Sequence, residues 1–270
     1  MTDTASPTSV DDIAWDLEPL LPEPGAAGVF ALLDAAAAEV EHLETFRGRL
    51  VDLSANELAD FFEHLAGVVD KIGRATNYTS LKFSVATDDP EVGALMQKAQ
   101  EQATVIGSRI IFVELELAQL PADRAAELIG DPKLASVAHH LEGILRYKDH
   151  MLSEPEEVVL SEKSVAGASA WSRLYDEQSS VITAEVDDAE VPLMAALAQL
   201  QHPDAAQRAK VAAAVTEGLA PGLRTRAFIF NTLLSDKSVD DRLRKYPTWI
   251  SARNLSNEAS DASVQALIEA

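Results

Sequence analysis

Apolar positions recur at helical spacing along most of the chain, and strict alternation is confined to one short patch. From Gly25 to Leu50, the residues Val29, Leu32, Leu33, Ala36, Val40, Leu43 and Phe46 trace one apolar face, predicting a first long helix. Ser54 with Glu57 three residues on is a capping box: hydroxyl and carboxylate each satisfy an amide that a first turn leaves free. It opens a helix predicted to reach about Thr87. Asp89-Pro90-Glu91 then supplies an N-cap, a proline where no amide hydrogen is needed, and an early acidic residue. Ile106, Ile110, Ile111, Val113, Leu115 and Leu117 carry this third helix to about Leu120. Helices of roughly 25–35 residues are long against the common mean and pack most simply as an antiparallel bundle.

Beyond Leu120 the periods shorten. Pro121 to Gly130 predicts a short helix, and Asp131-Pro132 starts another through Leu134, Val137, Leu141, Ile144 and Leu145. Met151 to Ile182 forms a helical hairpin opened by a second capping box, Ser153 with Glu156. In its second arm Trp171, Leu174 and Tyr175 are expected to form a buried stripe, with Arg173 turned toward Asp176 and Glu177. Ile182 to Val191 alternates around Asp187-Asp188-Ala189 as a small β-hairpin does. Pro192 to Leu200 reads as a short helix, and Pro203 to about Tyr246 as a long one bent at Pro221-Gly222. An ordered polar loop is expected from Pro247, and a last helix from Asp261, inside which the sequence stops at Ala270. The fold class is therefore all-α: long antiparallel helices in a bundle, with one small β-hairpin near 182–191. The organisation expected is a disordered tail over 1–12, a long-helix bundle over 13–120 with Trp15 and Leu17 docked, and a second helical subdomain over 121–270. Val264, Leu267 and Ile268 lack a C-cap glycine beyond them, which suggests a chain truncated before a further half.

Charge narrows the function. There are 22 basic and 44 acidic residues, a net charge of −22, which disfavours phosphate-backbone binding and anionic membrane surfaces. No nucleic acid or membrane partner is expected. With no cysteine, disulfides and thiolate metal sites are excluded. No basic region precedes an apolar core at the start, and no unbroken apolar run of 18 residues occurs, so the cytoplasm is the expected location.

Candidate chemistry is sparse. The six histidines include no two that are three or four residues apart, and His139 and His140 diverge by about 100° on a helix. Asp60 with His64, His139 with Glu142, and His150 with Glu154 are the mixed pairs at ligand spacing, readable as metal donors or as solvated ion pairs. No Gly-x-Ser-x-Gly elbow and no phosphate-cradling glycine loop appears, and Ser169 reads as a small packing residue. Arg242, Arg244, Lys245, Tyr246, Trp249 and Arg253 form a basic, aromatic cluster. It reads either as helix-end complementation with Trp249 packed as a lid, or as a peptide-facing patch.

Leu152-Ser-Glu-Pro-Glu-Glu-Val, Gly167-Ala-Ser-Ala-Trp-Ser-Arg-Leu-Tyr-Asp-Glu, Trp15-Asp-Leu-Glu-Pro-Leu and Arg244-Lys-Tyr-Pro-Thr-Trp, taken in order and spacing, resemble the N-terminal half of oligoendopeptidase F. That family belongs to the thimet-oligopeptidase-like zinc metallopeptidases. The resemblance implies two helical halves around a channel, with zinc held in the full-length enzyme by a His-Glu-x-x-His that these 270 residues lack. No catalytic and no metal-ligating residue is carried over, and the segment alone is expected to be inactive. Its implied partners are short peptides and its own C-terminal catalytic half. Trp249, Arg253 and Asn254 are the candidate channel contacts, chosen for their place near the junction of the halves. The alternative reading is a stand-alone, non-catalytic helical peptide- or protein-binding protein.

Overall fold

The computed structural model describes residues 14–270, so the expected tail over 1–12 lies outside the described residues. Helix α1 (Gly25–Glu44) buries Val29, Leu33, Ala36, Val40 and Leu43 completely, the face its spacing predicts. It packs along α2 (Ala55–Ser84), which buries Leu58, Phe61, Phe62, Val68, Ala75 and Tyr78 in the same core, and along α3 (Pro90–Ser108). The Ser54–Glu57 box caps α2, and the Asp89 carboxylate accepts from Glu91 N–H to cap α3. Glu18 to Glu44 is, among the described residues, the one stretch long and apolar enough in composition to cross a bilayer. That departs from the sequence reading, although the most apolar residues of this stretch are core residues of the bundle.

The first and third helices end sooner than expected. After Glu44 the chain turns, and Glu116 from the neighbouring layer accepts from the free amides of Gly48 at 2.6 Å and Leu50 at 3.2 Å. Those two contacts satisfy donors a continued helix would have used itself. The third helix is broken at Arg109–Ile110, and α4 (Ile111–Leu117) follows as a separate helix. Arg109 reaches across to α1, bonding the Glu44 carboxylate at 2.6 and 3.1 Å and the Ala37 carbonyl at 3.2 Å. Hydrogen bonding to Arg109 outweighs partial burial and holds the Glu44 carboxyl below the usual range. Trp15 does not dock: it is 81% exposed, while Leu17 packs on the core. The lead-in is fixed through Glu18, which accepts from Tyr78 Oη at 2.8 Å and from Gly25 N–H at 3.0 Å.

Helices α5 (Ala122–Gly130) and α6 (Ala138–Tyr147), with a 3-10 turn at Pro132–Leu134 between them, add Ala125, Leu128, Leu134, Leu141 and Ile144 to the same core. The hairpin is α7 (Glu154–Ser164) and α8 (Ala168–Ser180). Its expected buried stripe is not formed: Trp171 and Leu174 are half-buried and Tyr175 is 46% exposed, because α8 is covered chiefly by a single partner helix.

A separate small core follows. Strands β1 (Thr183–Val186) and β2 (Ala189–Pro192) pair antiparallel with Val186 opposite Ala189. Asp187 and Asp188, at φ 54° and 60°, make the two-residue turn that matches strand twist. Helices α9 (Leu193–Gln199) and α10 (Ala205–Leu219) cover the hairpin through Ala196, Val211, Ala214 and Val215. A Cβ on Gly218 would lie 2.3 Å from the Thr183 carbonyl oxygen, so glycine is what allows α10 to lie against β1. The long helix expected to bend at Pro221-Gly222 is instead two helices. Gly222 takes φ +74°, and the Arg226 guanidinium accepts the role of cap, donating to the Leu219 and Pro221 carbonyls. Helix α11 (Leu223–Leu243) then runs back along α8, and the loop expected after Pro247 contains a short helix, α12 (Ser251–Ser256), before α13 (Asp261–Glu269).

Candidate functional site

The expected basic cluster is organised by Arg244. Its guanidinium forms a two-pronged pair with Glu157 of α7 at 2.7 and 2.8 Å, and also bonds Asp240 at 2.9 Å. The pair is mostly shielded, with side chains 22% and 15% exposed. Burial pushes the Glu157 carboxyl up, but Arg244 and the Leu152 amide together outweigh it and hold the carboxyl below its usual range. Hydrogen bonding to Glu157 likewise raises the Arg244 pKa, despite burial. His150 Nδ1–H donates to the Arg244 carbonyl at 2.8 Å, a contact that fixes its tautomer, and its ring stacks on Tyr246 at 4.0 Å. These groups border a cavity of about 620 Å³ against Ile110 and Ile111. Arg244 is thus a fastener between the end of α11 and the start of α7.

The three sequence-proposed channel contacts fall in different surroundings. Trp249 is 76% exposed beside a depression shared with Leu234 and Tyr246, so it is no packed lid. Arg253 is exposed on α12 and does not line that depression. Asn254 is buried, and its side-chain amide donates to Asp261 at 2.7 Å, tying α12 to α13. Along α11, Leu223, Phe230 and Leu234 are exposed at intervals that share one helix face, and Leu234 borders the depression beside Trp249.

The metal-spaced pairs do not offer a zinc site. His64 Nδ1 lies 2.7 Å from the backbone carbonyl of Asp60, away from its carboxylate. His139 has Glu142 3.5 Å from one ring nitrogen and Glu258 2.9 Å from the other, on opposite sides of the ring. The Glu258 oxygen facing it also accepts from Arg146 at 2.9 Å, a cation that competes with any metal ion. Glu154 pairs with Arg47 rather than His150. Among the described residues, no three His, Asp or Glu side chains are arranged to hold one metal ion, whereas a catalytic zinc requires three protein ligands and an open position.

A larger groove, about 1110 Å³, opens between the α2–α3 layer, α8 and α9. Sequence spacing gave no hint of it, since Phe83, Met96, Tyr175 and Met194 come from four separate elements.

The sequence model of the oligopeptidase F family matches residues 116–183, from α4 to the start of β1. Oligopeptidase PepF of Bacillus subtilis (strain 168) is 27% identical over 158 residues, which make up 58% of this chain and 23% of that protein. Oligoendopeptidase-F from Enterococcus faecium superposes on 91% of this chain with a TM-score of 0.75 and 18% identity, using 50% of its own length. This chain is similar to the N-terminal half of oligoendopeptidase F. A further solved chain, from Chlamydophila abortus, matches 96% of this one at a TM-score of 0.56 and 19% identity, over 45% of its length. The chain therefore spans about half the length of these two solved structures and matches a smaller share of the curated relative. The family match takes in Glu157 and its capping box, and it stops short of Arg244, the partner that the fold brings to Glu157.

Proposed function

We propose that this chain is the substrate-channel-forming, N-terminal part of a cytoplasmic, zinc-dependent oligoendopeptidase acting on short peptides. The carrying observation is the family match over residues 116–183, on a chain whose fold follows half of a solved oligoendopeptidase-F. In this reading the zinc belongs to the catalytic half, and no residue of this chain is asked to hold it. What the chain supplies is a wall that admits unfolded peptide, together with apolar surface for the other half. The exposed Leu223, Phe230 and Leu234 support that role, since they lie along one face of α11 and exposed apolar faces mark interaction surfaces. The test is twofold. The gene should read on past codon 270 to a His-Glu-x-x-His, and the purified chain should leave a quenched oligopeptide uncut with zinc added. A stop codon there favours a stand-alone binding protein, and hydrolysis by the isolated chain refutes the division of labour.

A further inference from the structure

Two histidines far apart in sequence, His42 and His64, are neighbours in the fold, with ring centres 5.2 Å apart. His42 stands in the last turn of α1 and His64 within α2, and both residues are exposed. Their planes meet at 54°, so the rings are tilted toward each other and not stacked face to face. An imidazole nitrogen lies about 1.1 Å from its ring centre and binds zinc at about 2.0–2.1 Å, so two rings sharing one tetrahedral ion have centres about 5 Å apart. The observed separation meets that requirement without drawing the helices together.

The surroundings prepare both rings. His64 Nδ1 lies 2.7 Å from the Asp60 carbonyl, which can only accept, so the neutral ring carries its hydrogen on Nδ1 and keeps the Nε2 lone pair for an ion. Metal-binding histidines are commonly oriented in this way. His42 meets the Phe46 ring edge-on at 5.4 Å, and Phe46 in turn packs on buried Phe61. One turn before His42, Glu39 accepts from Lys71 of α2 at 2.9 Å, which fixes the two helices relative to each other beside the pair. Charge also favours a cation: His42 lies at the C-terminal end of α1, where the helix dipole is negative, on a chain of net charge −22.

We propose that His42 and His64 together bind one first-row transition metal ion, of the zinc, nickel or copper class, with water completing its coordination. Imidazole donors suit these ions, whereas magnesium and calcium prefer oxygen ligands. Among the described residues no third His, Asp or Glu completes the set, so the bound ion is a clasp across α1 and α2 and not a second catalytic centre. The site takes no part in the oligopeptidase reading above, which has its own test in the downstream gene sequence.

The 270-residue chain, freed of metal with a chelator, is melted with and without zinc chloride. An ion that binds the folded arrangement stabilises it by mass action, so about 1 mM zinc should raise the melting temperature by about 3–6 °C, and magnesium at the same concentration should not. His42→Gln and His64→Gln, both at exposed positions, should each weaken zinc affinity about tenfold or more and remove most of the rise, because one ring alone loses the advantage of a second tethered ligand. His202→Gln, at an exposed histidine between α9 and α10, should leave the rise intact. Without metal, all three variants should melt with the parent. Electron paramagnetic resonance of the copper-loaded parent should show two nitrogen ligands, a readout that needs no variant. No zinc-dependent rise, an equal rise with magnesium, a rise that survives either substitution, or a copper spectrum with fewer than two nitrogens overturns the proposal.

Discussion

Replacing Arg244 with Met keeps most of the stem volume and removes the guanidinium that faces Glu157. The carboxylate is 15% exposed and would retain one amide donor, from Leu152. Stripping the partner from a fully buried pair costs about 3–5 kcal/mol, so this mostly shielded one should lose about 2–3 kcal/mol at neutral pH. With an m-value near 3 kcal/mol/M for a chain of this size, the urea midpoint should fall by about 0.8 M, read by far-UV circular dichroism. The pH dependence gives the sign. In the parent chain the folded-state pKa of Glu157 is lowered, so its contribution is present above the ordinary carboxyl pKa and is lost as pH falls through the lower folded value. In R244M burial, the largest influence, is opposed only by the Leu152 amide, so the folded pKa rises, and the penalty is present above it and vanishes on protonation. The gap between the two proteins should therefore be widest near pH 7 and shrink toward about pH 4, the ordinary glutamate range. The double variant R244M/E157L should recover most of the loss, since no unpaired charge remains. A midpoint shift under about 0.2 M at neutral pH, or an equal gap at both pH values, would refute this account of the junction.

Gly218→Ala should destabilise the chain by about 1–3 kcal/mol, because its Cβ would sit 2.3 Å from the Thr183 carbonyl; an unchanged melting temperature would mean α10 and β1 separate freely. Ser153→Ala should cost about 1 kcal/mol by removing from the cap of α7 the hydroxyl that donates to the Glu156 carboxylate at 2.6 Å, and amide exchange in the first turn of α7 should quicken. Asn254→Ala should lower stability by about 1–2 kcal/mol and loosen α13, checked by limited proteolysis after Ser256; a chain cut no faster than its parent would show that the Asp261 contact is dispensable.

How much was legible depends on the range of the interaction. Both capping boxes, the apolar face of α1 and the Asp187-Asp188 turn rest on contacts between residues no more than a few positions apart, so periodicity and turn chemistry were enough to place them. The breaks at Glu44 and Arg109 have no local sign, because they depend on Glu116 and Glu44, which are more than sixty positions distant from the groups they bind. The exposure of Trp15, Tyr175 and Trp249 escaped for the same reason: an aromatic residue at helical spacing is buried only if another element comes to cover it.

The candidate site divides along the same line. Sequence alone determined that the chain is helical, strongly acidic and without His-Glu-x-x-His, and it carried the motifs that resemble oligoendopeptidase F. Those features are written in residue type and short spacing. Only the tertiary structure decided that Arg244 closes on Glu157, 87 positions away, that Asn254 is a fastener, and that a neutral groove lies between two cores. Such features exist only where chain segments meet, and which segments meet is set by the packing of whole helices and not by any one of them.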